Sequence, residues 1–231
     1  MDALSLPGFM RRAEKRIREG RFTHVLTVNP LMLDQTLADP ELSKILREAD
    51  FCVPESAGIL LIARLKGMPI KERVPGTDLM LELCSLAAAN GWPVVLYGGK
   101  PGVAEAAKNA LTERFPALKV AGVFQGYPSK EEEARALEEI KAIRPKVIFV
   151  ALGVPAQEKW ITRNKNILDG ALSLGVGGSL DVLSGTLKRA PLWMRQLDFE
   201  WLFRLWQEPW RFLRVLRTFK AVFLAILRPI S

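Results

Sequence analysis

The sequence predicts an α/β fold: a Rossmann-like, largely parallel sheet flanked by helices, with a C-terminal amphipathic helical appendage. Over residues 1–187, apolar strand-like runs alternate with runs of helical period, which is the pattern of repeated strand–helix units. Most of the apolar runs end in glycine or other small residues. From residue 188 to 231 the chain becomes basic and rich in tryptophan. We therefore predict an α/β body over residues 1–187 and a helical, membrane-associating appendage over residues 188–231.

The first half of the body contains short runs rich in apolar, β-branched and aromatic side chains, which are typical of buried strands. These predicted strands are residues 22–28, 51–54 and 93–97. Between them, apolar periodicity predicts helices at residues 30–46, 57–65 and 77–89. The pair Asn90-Gly91 ends the last of these helices.

The second half of the body repeats the alternation. Ser129 and Glu132 form a capping box, which starts a helix that runs to Ile143. The other predicted elements are a helix at residues 102–115 and strands at 118–124, 146–152 and 171–176.

Composition excludes several classes of protein. Of the 231 residues, 49% are hydrophobic and 25% are charged, so a globular core is expected rather than disorder. Two cysteines and one histidine exclude a disulfide scaffold, a four-cysteine zinc site and HExxH chemistry. Cys52, Cys84 and His24 are predicted to be structural. No apolar run reaches the ~18–20 residues of a membrane-spanning helix. Residues 1–20 lack the apolar core of a secretory signal, so a cytoplasmic location is expected.

The net charge of +8 is concentrated in the appendage. Residues 188–231 contain nine Lys and Arg against three Asp and Glu, whereas the body contains 24 against 22. Basic side chains recur every three residues at Arg211, Arg214, Arg217 and Lys220. A basic, aromatic helix that is too short to span is typical of the membrane surface. Binding to an anionic membrane is one interpretation, and packing on the body is the other. The segment is too apolar for a nucleic-acid-binding arm.

Glycine-rich segments follow three of the predicted strands, at the sheet edge where α/β proteins bind ligands. The segment from Gly98 and Gly99 to Gly102 opens a helix, so its N–H groups are candidates for a phosphate, although no Walker or dinucleotide-binding pattern is present. Gly153 begins a segment in which Gln157 is placed to aim an amide at the same edge. Gly177-Gly178 precedes Asp181, a candidate acceptor for a base or ribose. The alternative for the first and last of these segments is a tight turn or a cap without a ligand.

Two further residues at strand ends are candidates for chemistry or stacking. Glu55 lies between Pro54 and Ser56, and a partly desolvated carboxylate at such a position can act as a general base. Tyr127 follows a strand and can stack on a nucleobase. The alternatives are a solvated glutamate and a tyrosine that packs on its own loop.

Three polar residues are candidates for substrate binding. Arg73 can hold a phosphate with two hydrogen bonds, and its alternative is an ion pair with Glu72 or Asp78. Thr27 and Asn29 can hydrogen-bond a sugar, and their alternative is to cap the helix that begins near residue 30.

Several segments are specific in combination. They are Thr27-Val28-Asn29, Glu72–Asp78 (ERVPGTD), Leu96–Gly102 (LYGGKPG), Gly126-Tyr127, Gly153–Trp160 (GVPAQEKW), Gly175–Asp181 (GVGGSLD), Lys188–Pro191 (KRAP), Glu200–Leu205 (EWLFRL) and Glu208–Arg211 (EPWR). Together and in this order they resemble the WecG/TagA/CpsF glycosyltransferase family, which makes bacterial surface polysaccharides.

The resemblance implies an inverting transfer of a sugar from a UDP-sugar, in the best-known branch UDP-N-acetylmannosamine. The implied acceptor is N-acetylglucosamine on undecaprenyl diphosphate, in teichoic acid or other polysaccharide synthesis. No metal or other cofactor is implied. The implied location is peripheral, on the inner face of the bacterial cell membrane.

The resemblance also assigns roles to residues of this chain. Tyr127 and Asp181 would hold the uridine. The diphosphate and sugar would be lined by Gln157 and by the glycine turns at Gly98, Gly99, Gly153, Gly177 and Gly178. The acceptor side would contain Thr27, Asn29 and Arg73. An acceptor diphosphate and the membrane would be met by Arg204, Arg211, Arg214, Arg217 and Lys220.

One departure from the family concerns the expected base. The family usually has Asp-Gly where this chain has Glu55-Ser56, so the carboxylate is kept on a longer side chain. Glu55 is still placed to deprotonate an acceptor hydroxyl. The donor stays open between N-acetylmannosamine, its uronic acid and glucose.

Two other classes of protein are weighed beside the transferase. A nucleotide-linked dehydrogenase or epimerase is disfavoured because the dinucleotide fingerprint is absent. A non-catalytic membrane scaffold remains the second alternative. The oligomeric state is open, since a docked tail favours a monomer and exposed tryptophans favour self-association.

Overall fold

The computed structural model describes residues 5–70 and 72–227. The strands are β1 Thr23–Val28, β2 Phe51–Pro54, β3 Pro93–Gly98, β4 Lys119–Phe124, β5 Val147–Ala151 and β6 Leu172–Gly175. The body helices are α1 Leu6–Arg18, α2 Pro30–Gln35, α3 Pro40–Glu48, α4 Ala57–Leu65, α5 Gly76–Asn90, α6 Val103–Arg114, α7 Lys130–Ile143, α8 Ala156–Arg163 and α9 Ser179–Leu183. The C-terminal helices are α10 Leu192–Gln196, α11 Glu200–Gln207 and α12 Phe212–Leu227, with a 3₁₀ turn at Pro209–Arg211 between the last two.

The six strands form one sheet in the order β2-β1-β6-β5-β3-β4, and every pairing is parallel. The predicted fold class is therefore confirmed. Since all strands run in the same direction, their carboxyl ends lie along one edge. The register places Val28 beside Pro54, Gly98 beside Ala151 and Val150 beside Gly175. The loops that carry the candidate residues consequently leave the sheet side by side.

Both faces of the sheet are buried, as expected for a parallel sheet. Along β5, Val147 and Phe149 face a core that α1, α5, α6 and α9 complete. Ile148 and Val150 face the opposite side, where they pack with residues of α7 and α8. A third cluster lies under α2, α3 and α4. His24, Cys52 and Cys84 are buried in or beside these layers, which confirms their structural interpretation.

Two features of the body differ from the prediction. The helix predicted at residues 30–46 is divided into α2 and α3, because Asp39 caps a new helix at Pro40 by accepting from the Leu42 N–H at 3.0 Å. Helix α1 was not predicted from its charged sequence. It buries an apolar stripe of Phe9, Ala13 and Ile17. The capping box of Ser129 and Glu132 at the start of α7 is confirmed.

The C-terminal helices pack on the body with one face and expose the other. Val222 and Ile226 of α12 pack against the cluster under α2 and α4, and Ala221 is only 4% exposed. Trp206 and Trp210 are 77% and 75% exposed. Packing on the body is thus confirmed for one face of these helices, and membrane binding by the exposed face stays a prediction. Within residues 5–70 and 72–227, no helix has both the length and the apolar character needed to cross a membrane.

We predict that Ala221→Asp releases α12 from the body. A carboxylate at this buried position lacks a partner, and burying it costs several kcal/mol, about 3 or more. Limited proteolysis should then cut within residues 212–227 at least about 10-fold faster than in the wild type. The matched control is Leu216→Asp, because Leu216 is 48% exposed on the same helix. Equal cutting of the two variants would contradict the observed docking.

Candidate active site

A cavity of about 810 Å³ lies at the carboxyl edge of the sheet, between the strand-end loops and the C-terminal helices. Most of the residues predicted for the site line it. They are Thr27, Asn29, Glu55, Arg73, Gly99, Tyr127, Gly153, Gln157, Gly177, Gly178, Asp181, Arg204, Arg211 and Arg214. Arg217 lines a smaller neighbouring cavity of about 370 Å³ instead.

Two predicted site residues line neither cavity. Gly98 lies beneath the loop that it was expected to form: a Cβ there would come within 2.5 Å of the Ala151 carbonyl oxygen. It therefore supports Gly99 from below and is not itself part of the wall. Lys220 is exposed on α12, outside both cavities.

Glu55 is the carboxylate at the centre of this cavity. It follows β2 directly, and its backbone N–H donates to the Val28 carbonyl at 2.9 Å, so the end of β1 fixes its position. Its Oε2 accepts from Asn29 Nδ2 at 3.1 Å. Burial raises the pKa of Glu55, while the Asn29 hydrogen bond and then Arg214 and Arg204 act in the opposite direction. The net effect is a more basic carboxylate than a solvated glutamate.

Asn29 caps the next helix, as one of its two interpretations predicted, and it also makes a contact with Glu55 that was not predicted. Its Oδ1 accepts from the Met32 N–H at 3.0 Å and so caps α2. Its Nδ2 donates to Glu55. The cap fixes the amide orientation, and this orientation turns the NH₂ group toward the carboxylate. Thr27 lies in β1, two residues before Asn29. It is 6% exposed and lines the same cavity.

The glycine loops after β5 and β6 are joined by one side chain. Gln157 Oε1 accepts from the N–H of Gly153 at 3.1 Å and from the N–H of Gly177 at 3.0 Å. Its Nε2 donates to Glu158 Oε1 at 2.8 Å. Glu158 was not a candidate from the sequence, since nothing in its spacing distinguishes it from a solvated glutamate. It is 1% exposed.

The predicted uridine residues, Tyr127 and Asp181, both line the main cavity. Tyr127 lies at the rim with a positive φ of 58°, and its hydroxyl donates to the Leu152 carbonyl at 3.3 Å. Its ring is mostly exposed, which leaves a face free to stack. Asp181 is half-buried, and burial raises its pKa while Arg204 opposes the rise.

Three arginines of the C-terminal helices extend into the cavity. Arg204 Nε and Arg211 Nη1 both donate to Glu208 Oε2, at 3.1 and 2.8 Å. A Cβ on Gly178 would collide with the Arg204 guanidinium, so this glycine provides the room for it. Burial, followed by repulsion from Arg204 and Arg214, lowers the pKa of Arg211 to about 10. The three guanidinium groups lie close enough to repel one another, which favours an anionic ligand beside them.

Arg73 joins the body to the appendage. Its Nε lies 2.5 Å from Asp198 Oδ1, and its Nη2 donates to the Arg195 carbonyl at 2.8 Å. The ion-pair alternative was thus correct in kind, but the partners considered for it were wrong. Glu72 accepts from the Leu6 N–H, and Asp78 pairs with Arg189 at 2.6 Å. These contacts orient the appendage over the cavity.

No group of three or more His, Cys, Asp or Glu side chains within the described part of the chain is arranged to hold a metal ion. The expectation of a metal-independent reaction stays a prediction.

The parallel sheet brings its glycine loops, the desolvated carboxylate and the arginine cluster to one cavity, the arrangement expected of an α/β enzyme that binds its ligand at the strand ends. Comparison with known proteins specifies the class. The model of the glycosyl transferase WecG/TagA/CpsF family matches residues 1–230, and the chain belongs to this family.

Three relatives carry the same name, N-acetylglucosaminyldiphosphoundecaprenol N-acetyl-beta-D-mannosaminyltransferase. The protein of Bacillus subtilis (strain 168) is 33% identical over 92% of this chain and 82% of its own length. That of Bacillus spizizenii is 33% identical over 83% of this chain and 74% of its own. That of Staphylococcus aureus (strain NCTC 8325 / PS 47) is 34% identical over 78% and 70%.

We predict that Glu158→Gln stabilises the protein increasingly as the pH rises. Burial raises the pKa of Glu158 to about 7 from an ordinary value of 4.5. Between these values the folded state keeps a proton that the unfolded state has lost, so wild-type stability falls as the pH rises through this range. The glutamine lacks this penalty, which reaches about 3 kcal/mol. The prediction is checked by measuring the melting temperatures of the wild type and of Glu158→Gln between about pH 5 and about pH 8. A difference in melting temperature that does not change with pH would contradict it.

Proposed function

We propose that this protein transfers a sugar, N-acetylmannosamine, from its UDP-activated form to undecaprenyl-diphosphate-linked N-acetylglucosamine, with inversion at the anomeric carbon. The observation that carries the proposal is the position of Glu55. Its desolvated carboxylate lines the same cavity as the glycine loops and the arginines of the appendage. The names of the relatives support the acceptor and the transferred sugar.

In the proposed reaction, the acceptor hydroxyl oxygen attacks the anomeric carbon as the bond from that carbon to the UDP oxygen breaks. Glu55 takes the hydroxyl proton, and its raised pKa improves it as a base near neutral pH. Asn29 holds the carboxylate by donating to Oε2. The electron pair leaves with UDP, whose developing negative charge the nearby arginines stabilise. Positioning and charge compensation thus supply the catalysis.

The donor is proposed to occupy the half of the cavity that contains Tyr127, Asp181 and the glycine loops. Stacking on Tyr127 and hydrogen bonding to Asp181 suit a uridine. The N–H groups of tight glycine turns suit its diphosphate, because no Cβ keeps the phosphates at a distance. Arg204 lies over Gly178 at this same end.

The acceptor is proposed to enter through the neighbouring cavity. The two cavities share Asn29, Val154 and Arg214, so they meet beside the Glu55 hydrogen bond. Arg214 and Arg217 line the smaller cavity with Trp210 and Leu213, which are largely exposed. Cationic side chains next to exposed apolar ones suit a diphosphate attached to a prenyl chain. The exposed aromatic face of the appendage would then rest on the inner face of the cell membrane.

Release of UDP tests the proposal directly. The protein is supplied with UDP-N-acetylmannosamine, its uronic acid analogue or UDP-glucose, with and without a short-chain prenyl-diphosphate-N-acetylglucosamine. We expect release from the first donor only when the acceptor is present. Acceptor-dependent release from another donor would change the proposed sugar. Tight UDP binding without any release would favour the scaffold alternative.

We predict that Glu55→Gln lowers kcat by about 10²- to 10⁴-fold, the usual contribution of a general base. The Kd for UDP should change by less than about 3-fold, because the amide keeps the size and polarity of the carboxylate. The control is Glu48→Gln, an exposed glutamate on α3. An unchanged kcat would remove Glu55 as the base.

We predict that Arg217→Gln raises the KM for the soluble diphosphate acceptor about 10-fold, the cost of one charge-assisted hydrogen bond. The KM for the donor should stay unchanged. The assay contains no membrane, so loss of lipid binding does not affect it. The control is Arg47→Gln on α3, outside both cavities. If only the KM for the donor changed, Arg217 would contact the donor, and its assignment to the acceptor would be wrong.

A further inference from the structure

Glu158 is a buried carboxylate that the proposed reaction does not use. One of its oxygens, Oε1, accepts from Gln157 Nε2 at 2.8 Å. The other, Oε2, is buried and has no hydrogen-bond partner among the residues that the structure describes. Burying a carboxylate in this way is costly, so its retention next to a cavity requires a reason.

The contacts of Gln157 supply that reason. An amide carries one acceptor and one donor group, and the two are similar in shape. Here the oxygen faces two N–H donors, those of Gly153 and Gly177. With the amide turned over, its NH₂ group would face both donors, and both glycine loops would lose their bond. A neighbour that presents an accepting oxygen to the nitrogen side selects the observed orientation.

The backbone around the pair is shaped to hold it. A Cβ on Gly175 would collide with Gln157 Nε2 and would come within 2.9 Å of Glu158 Oε1. Gly175 is the last residue of β6, and Gly177 follows it with a positive φ of 49°. The glycine at the strand end therefore makes room for the two side chains, and the glycine after it receives the hydrogen bond.

The neighbours of Glu158 on α8 have different partners. Lys159 lies 2.7 Å from Asp39 and 3.0 Å from Glu41, which ties α8 to the region of α3. Trp160 stacks on Tyr97 with a centroid distance of 4.2 Å. These contacts hold the helix itself. The contact of Glu158 acts on Gln157 and, through it, on the loops after β5 and β6.

We propose that Glu158 is a positioning residue: it fixes the amide orientation of Gln157, and Gln157 holds the two glycine loops at the spacing that binds the donor diphosphate. This inference rests on the proposed function only in naming the donor diphosphate as the ligand. The link between the two loops is a property of the protein alone, and it can be measured without substrate.

The first test removes the acceptor. Glu158→Met keeps the length of the side chain but cannot accept from Gln157, whereas Glu158→Gln keeps an oxygen that can. Hydrogen exchange of the Gly153 and Gly177 amides is measured by NMR, and UDP affinity by calorimetry. We expect the methionine variant to lose protection at both amides and to bind UDP about 10-fold more weakly. The glutamine variant should stay within about 3-fold of the wild type.

The second test exchanges the two groups. Gln157→Glu alone places two carboxylates side by side and should weaken UDP binding about 10-fold or more. The double variant Gln157→Glu with Glu158→Gln reverses the donor and acceptor of the shared hydrogen bond but keeps an oxygen toward both glycines. It should recover most of the lost affinity and both protected amides.

Several results would overturn the inference. Unchanged amide protection in Glu158→Met would show that Gln157 needs no orienting partner. Equal losses in the methionine and glutamine variants, or no recovery in the exchanged pair, would show that the charge or proton of Glu158 is what matters. Lys159→Met controls for general loosening of α8 and should leave UDP affinity unchanged. If the wild type does not bind UDP, the proposed function fails, and amide protection still decides the role of Glu158.

Discussion

The candidate site depends on the docking of the C-terminal helices over the open edge of a parallel sheet. The body supplies the glycine loops and four charged side chains to the wall of the main cavity, of which Lys100 and Arg73 are the basic ones. The other three, Arg204, Arg211 and Arg214, come from the appendage. The bond of Arg73 to Asp198 fixes the start of the appendage, and the apolar contacts of α12 fix its end. Without this docking, the cavity would lose three of its five basic side chains, together with the acidic side chains of Asp198, Glu200 and Glu208.

Much of this arrangement could be predicted from the sequence, because each strand and the turn that follows it are specified by neighbouring residues. Apolar runs that end in glycine predicted β3, β5 and β6 and the edge where the site lies. Partners distant in sequence were harder to predict. Arg73 pairs with Asp198, 125 residues away, while the carboxylates considered for it were its neighbours in sequence. The division of α2 from α3 was predictable, since Asp39-Pro40 is a common helix start. Glu158 was not predictable, because burial alone separates it from a surface glutamate.

The glycines of the site also show that contacts between residues distant in sequence are hard to predict. As single residues they predict tight turns, and several do adopt positive φ. Gly178 and Gly175 serve a different purpose, since each leaves the space that another side chain fills: the Arg204 guanidinium in one case, and the Gln157 and Glu158 pair in the other. Such a role depends on which side chain arrives from elsewhere in the chain. A pattern of glycines therefore predicts a close approach to the backbone, but it does not identify the side chain or ligand that approaches.

The cavity wall contains five acidic and five basic side chains, and several of them are paired. Arg73 is neutralised by Asp198, and Glu208 is shared by Arg204 and Arg211. Glu55 is half-buried, and its desolvation raises its pKa. The pKa of Arg211 is lowered by its own desolvation and by two neighbouring arginines, so the positive charge in this region repels itself. A diphosphate bound there would reduce that repulsion. Because the carboxylate and the arginines belong to different parts of the chain, an anionic substrate also strengthens the contact between them.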